Sequence, residues 1–127
     1  MKWVKINQMM KKKQKVKKIN FFLKAKIYIL YIMSKNIELW SNPKTVFKKA
    51  RETYGNNVKI NISTRKDKKY MIQDPETNKW IHFGQFGAED FTKHKDIQRR
   101  DNFLKRNHHW ANSEPFTPSY MSYYLLW

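Results

Sequence analysis

Between positions 86 and 110 the chain reads FGAEDFTKHKDIQRRDNFLKRNHHW, and this run holds the residues best suited to chemistry. Asp90, His94 and Asp96, with His108 and His109, are of the types that move protons or ligate hard metals. His94 follows Asp90 by four residues, so the two share a face if the turn is helical. The surrounding pattern does not extend the case. There is no HExxH, no GxSxG, no glycine-rich phosphate loop and no paired acidic motif. A plainer assignment uses every residue: Asp90 and Thr92 cap a turn, His94 bonds locally, and Asp96 starts a helix. A metal-dependent nuclease built on Asp90, His94 and Asp96 is therefore the third-ranked function. The expectation is a non-enzymatic protein with no cofactor and no metal.

The same run makes a different kind of site if 95–108 is helical. Ile97 and Leu104 fall on one face with Phe103 beside them, while Lys95, Arg99, Asn102 and Arg106 fall on the other. A row of cations opposite an apolar stripe suits a surface helix that tracks phosphates, and arginine adds two-pronged geometry. The plain alternative is a solvated basic face. Trp80, Phe83, Phe86, Phe91, Phe103 and Trp110 are expected in the core first, with stacking on exposed bases as the second use. His82, in a strand beside Trp80 and Ile81, reads as a tucked or surface histidine rather than a ligand.

The elements around this helix can be placed. Ser41-Asn42-Pro43 is a helix start, with Asn or Ser as the cap. Val46, Phe47, Ala50 and Tyr54 make one face of that helix, Lys44, Lys48 and Arg51 the other, and Gly55 ends it. VKINI at 58–62 alternates as a half-buried strand. The solvated turn RKDKK follows at 65–69, then a strand at 70–73, a turn DPETN, and a third strand at 79–84. Gly84 and Gly87 bracket a bend at Phe86. Beyond Pro115 and Pro118, Ser119 is placed to cap a last short helix. Connections this short leave no room for crossovers. The expected fold is α+β: a small antiparallel sheet of about three strands covered by two or three helices.

Composition bounds the partners. The 127 residues carry 27 Lys+Arg against 10 Asp+Glu, a formal net charge of +17. A field of that sign favours nucleic acid, anionic lipid or acidic protein. No cysteine is present, which removes disulfides, thiol nucleophiles and thiolate metal sites and suits a reducing compartment. Charge is uneven along the chain. Residues 1–33 hold ten lysines and no acid, Gly, Pro, Ser, Thr, Arg or His; residues 34–127 carry 17 basic and 10 acidic groups, a net of +7. The division expected is a leader at 1–33 and one domain at 34–127.

Three readings of the leader compete. It is a signal or anchor, although Lys24 and Lys26 interrupt its apolar run and about 20 apolar residues are needed to span a bilayer. It is a basic arm or amphipathic surface helix. Or the working protein begins at Met33, the upstream part being an over-extended gene start whose residues can nearly all be written with A/T-rich codons. A membrane partner is not expected unless the leader is real.

The run HFG…EDFTKHKD…RR…FL.R, a following Trp, a Pro-containing linker and a terminal LLW resemble an uncharacterised family of small basic proteins of large double-stranded DNA viruses, including algal viruses and their giant relatives. The likeness covers 69–127, is weaker upstream to Ser34, and does not reach 1–32. Its markers are Gly84, Asp90, Phe91, Thr92, His94, Lys95, Asp96, Arg99, Arg100, Arg106, Leu126 and Trp127. Viral origin is what the resemblance implies. It carries no mechanism.

The function expected is sequence-nonspecific nucleic-acid binding, genome-associated or in the virion. Lys95, Arg99, Arg100, Lys105 and Arg106 would contact phosphates, aided by Lys44, Lys48 and Arg51 and by Arg65, Lys66, Lys68 and Lys69 of the turn. The runner-up is a structural module of a virion that docks on a protein partner through Leu125, Leu126 and Trp127.

Overall fold

In the computed structural model Asn42 caps the helix that starts at Pro43, its side chain accepting from the Thr45 N–H at 3.3 Å. The structure describes the backbone of residues 2–127, and all their side chains except those at 2, 13–16, 18–19 and 32–34. Met1 and the Met33 side chain, on which the late-start reading falls, lie outside the described residues. The chain divides into two units, Met1–Lys35 and Asn36–Trp127.

The first unit is a single helix, α1 (Lys2–Lys35). The segment lacks Gly and Pro, so nothing breaks it. Of the readings of this segment, the amphipathic one finds no pattern: apolar and polar residues show almost no segregation between faces. The segregation runs along the axis instead, with KKKQKVKK before INFFLKAKIYILYIM. Among the described residues, no helix is long and apolar enough to cross a membrane.

The second unit is α+β. Helix α2 (Pro43–Tyr54) ends at Gly55, whose φ of 97° lies in the left-handed region. Three strands follow, β1 (Ile60–Ile62), β2 (Lys68–Gln73) and β3 (Trp80–Gln85), paired antiparallel in that order. Ile62 faces Tyr70 and Tyr70 faces Phe83 across the ladder, while Ile60, Ile72 and Ile81 form the next rank. Tyr70, Ile72 and Phe83 are fully buried, with Val46 and Ala50 of α2. Phe47 meets the Tyr70 ring at 6.0 Å between centroids, which seats α2 against that column. Sheet and helix thus bury the two apolar faces read from the sequence.

Two helices, α3 (Phe91–His94) and α4 (Ile97–Arg106), precede a 3-10 turn, His108–Asn112. A short helix α5 (Pro118–Met121) then runs into a wide turn, Ser122–Leu126. Met121, Leu125 and Leu126 complete the core at 0–1 % exposure.

Three local expectations are corrected. The turn read at 65–69 ends earlier, because Lys68 and Lys69 pair in β2, Lys68 opposite Gln85. The third strand, read at 79–84, runs from Trp80 to Gln85, so Gly84 lies inside it as read and the bend at Phe86 starts one residue later. The last short helix is capped by Thr117, which accepts from the Tyr120 N–H at 3.3 Å, while Ser119 lies within it. Pro118 takes the first helical position, where its missing N–H costs nothing.

Candidate nucleic-acid interface

The EDFTKHKD run builds a joint. Asp90 caps α3, its Oδ1 accepting from the Thr92 N–H at 3.0 Å. Lys95 ends α3 in the left-handed region at φ 54°. Asp96 caps α4 by accepting from the Arg99 N–H at 3.1 Å, and donates its own N–H to His94 Nδ1 at 2.9 Å. The plain assignment of these residues holds. Each is used to turn the chain between α3 and α4.

Beneath the joint lies a buried polar chain. Lys69 and Asp90 form an ion pair, Nζ to Oδ2 at 3.0 Å, with side chains 3 % and 1 % exposed. Lys69 also donates to the Trp40 carbonyl at 3.4 Å. The other Asp90 oxygen accepts from both the N–H and the hydroxyl of Thr92. Since Thr92 gives its proton to Asp90, the Ser41 hydroxyl donates to Thr92 at 3.2 Å, and Tyr70 donates to Ser41 at 2.7 Å. Burial lowers the Lys69 pKa, against the opposing pull of Asp90. Burial also raises the Tyr70 hydroxyl well above its ordinary value.

The pair forms the floor of a cleft of about 510 Å³. One wall is α4, through Arg99, Asn102, Phe103 and Arg106. Gly84 and Gln85 of β3 and the 88–90 loop line it as well, with Trp110 and Trp127 at the rim. Phe103 stacks on Trp127 at 4.2 Å and 7° between planes, and meets Trp110 edge-on at 5.9 Å.

The predicted basic residues divide. Arg99 and Arg106 are exposed and line the cleft, with Asn102 between them. Arg99 is loosely held by Glu89 at 3.9 Å. Lys105 is exposed on α4 without lining it. Arg100 turns inward, half-buried, its guanidinium 4.8 Å over the Phe91 ring and 3.4 Å from Asp101. The inward face of α4 is thus Arg100, Phe103, Leu104 and Asn107, and Ile97, expected in the apolar stripe, is 60 % exposed. Lys95 lies at the joint and lines a smaller hollow beside Lys93 and the start of α2.

Lys44, Lys48 and Arg51 are exposed on α2, Lys48 4.0 Å from Glu52. Arg65 and Lys66 are exposed in the turn and Lys68 is half-buried. None of these six lines the cleft. Lys69 is the clear correction: at 2 % exposure, paired with Asp90, it has no ammonium to offer a phosphate outside. Leu125 and Leu126 are corrected likewise. At 0 % and 1 % exposure they close the domain's own core and present no docking surface. Trp127 remains half-exposed in the rim.

Among the described residues no group of three His, Asp or Glu could hold a metal. Nδ1 of His94 and both Asp90 oxygens are occupied as above. His82 takes the tucked position, its Nδ1 2.6 Å from the Ser63 hydroxyl. Sequence reasoning missed the Lys69–Asp90 pair and the part of Gln85 and Glu89. No local signal marked the first, since Lys69 closes the basic run RKDKK.

The segment 58–107 matches the model of a family of unknown function (DUF5754). The matched stretch takes in the three strands, α3 and α4, and with them the Lys69–Asp90 pair and the arginines of the cleft. It stops short of Trp110 and Trp127. The chain is therefore similar to an uncharacterised family over its central part. No curated protein and no solved structure matches it.

Proposed function

We propose that this protein binds nucleic acid without sequence preference, with α4 and its cleft as the contact surface. The observation that carries the reading is the line Arg99–Asn102–Arg106: two exposed guanidinium groups on one helix face, opening on a cleft rimmed by tryptophan. Guanidinium groups grip phosphates in two-pronged fashion, and aromatic rings accept bases of any identity. The net charge, +17 over the chain and +7 over residues 34–127, favours a polyanion and speeds encounter. The setting we propose, from the resemblance to small basic proteins of large double-stranded DNA viruses, is a genome-associated or virion protein.

A salt series tests the reading. Each phosphate contact releases counterions, so the logarithm of the binding constant falls linearly with that of salt concentration. Arg99→Ala and Arg106→Ala should each make the slope shallower by about one unit, while Lys69, already neutralised inside, should not enter the count. Absence of binding at low salt would defeat the proposal. So would arginine variants that leave the slope untouched.

A further inference from the structure

The charges lining the cleft nearly cancel. Lys69, Arg99 and Arg106 line it with Glu89 and Asp90, three cations against two anions, and Lys69 is bound to Asp90 at 3.0 Å. A ligand held there needs more than phosphate attraction. The rim supplies it. The rings that meet Trp110, those of Phe103 and His109, both do so at 71°. Among the described residues no aromatic ring lies parallel to Trp110, and Trp110 lines the cleft half-buried.

The shape points the same way. A helix that reads a duplex projects outward into the major groove. Here the helix face with Arg99, Asn102 and Arg106 lines a concavity together with Gly84 and Gln85 of β3 and the 88–90 loop. Arg99 and Arg106 are seven residues apart, about 10 Å along the helix axis, so both can reach the backbone of one strand. A base that enters such a cleft must leave its own stack, which an unpaired strand allows and a duplex resists.

Resting on the reading just proposed, we infer that the cleft takes an unpaired nucleotide, its phosphate at Arg106 and its base against Trp110, and that the protein is a single-strand binder. Discrimination comes from the base's flat face, so the preference is for unpaired strands rather than for a sequence.

The test uses the full chain and three probes: a thymidine oligonucleotide, an abasic oligomer of the same length and charge, and the thymidine strand paired with its complement. The thymidine strand should bind roughly tenfold tighter than the abasic oligomer, the range expected of a stacked base. It should also bind tighter than the duplex and quench tryptophan fluorescence. Trp110→Ala should narrow the gap between the strand and the abasic oligomer, and Trp110→Phe should preserve most of it. The wild-type ratio alone decides the matter if either variant folds poorly. Equal affinity for the thymidine strand and the abasic oligomer overturns the inference while leaving phosphate binding intact, as does tighter binding of the duplex. Failure to bind any probe overturns the nucleic-acid reading itself.

Discussion

At the residue scale, Asp90 does the most structural work in the second unit. It caps α3, accepts from Thr92 twice, and neutralises Lys69 in the interior. Removing one partner of a buried ion pair strands the other charge, a loss of about 3–5 kcal/mol. Asp90→Ala should therefore lower stability to chemical denaturation by an amount of that order, whereas Lys48→Ala, whose pair with Glu52 is exposed, should change it by less than about 0.5 kcal/mol. His94 gives a pH dependence. Burial lowers its pKa, helped by Arg99 and opposed by Asp96, Glu89 and Asp90. Its folded state thus takes up a proton less readily than the unfolded chain. The resulting stability is present above the ordinary histidine value of about 6.5 and lost as pH falls below it. Protonation would also end acceptance of the Asp96 N–H at Nδ1. Thermal melts on acidification should show a smaller drop for His94→Gln than for the wild type. An equal drop would remove His94 from the acid response.

At the element scale, the packing of β2 on β3 depends on Gly84. Its φ of 79° is left-handed, and a Cβ there would stand 2.9 Å from Leu126 Cδ1 and 3.2 Å from both Cβ and Cδ of Lys69. The missing side chain is what lets the aliphatic stem of Lys69 cross the strand toward Asp90. Gly84→Ala should cost about 1–2 kcal/mol from the backbone alone, before any contact is counted. It should also disturb the Lys69–Asp90 pair, visible as loss of protection of the α3 amides in hydrogen exchange. For α4, the inward positions were legible only in part. Phe103 and Leu104 turn inward as an apolar stripe should, but Arg100 takes the place that periodicity gave to Ile97. A guanidinium can do so because its plane lies over the Phe91 ring, a satisfaction that hydropathy does not register.

At the scale of the whole molecule, the end of the described chain belongs to the core. Leu125 and Leu126 are as buried as Tyr70 and Phe83. Removing 125–127 should destabilise the second unit by several kcal/mol, since each buried leucine lost is worth about 2–5 kcal/mol. The same deletion takes Trp127 from the cleft rim. Binding should then fail together with folding, read by circular dichroism and oligonucleotide titration on one preparation. A chain that stays folded without these residues would return them to a docking role. The lysines of α1 make a separate prediction. Removing 2–33 should reduce the salt dependence of binding and leave the ratio between the thymidine strand and the abasic oligomer unchanged, because the lysines of the first unit add only phosphate attraction and the base contact lies in the second.

What the sequence determined by itself was what local chemistry dictates. Asn42-Pro43 and Asp96 specify helix starts, Gly55 a stop, and the alternating apolar runs three antiparallel strands, because capping and periodicity act over a few residues. The uneven charge and the basic line Arg99–Arg106 were equally open to reading. Only the tertiary structure decided which charges face outward. Lys68 and Lys69 are indistinguishable in composition, yet strand alternation and a partner 21 residues away bury the second and leave the first half-exposed. The same holds for the aromatics. Phe83 in the core and Trp110 at the cleft rim differ by what folds against them from distant parts of the chain, and no pattern local to either residue carries that information.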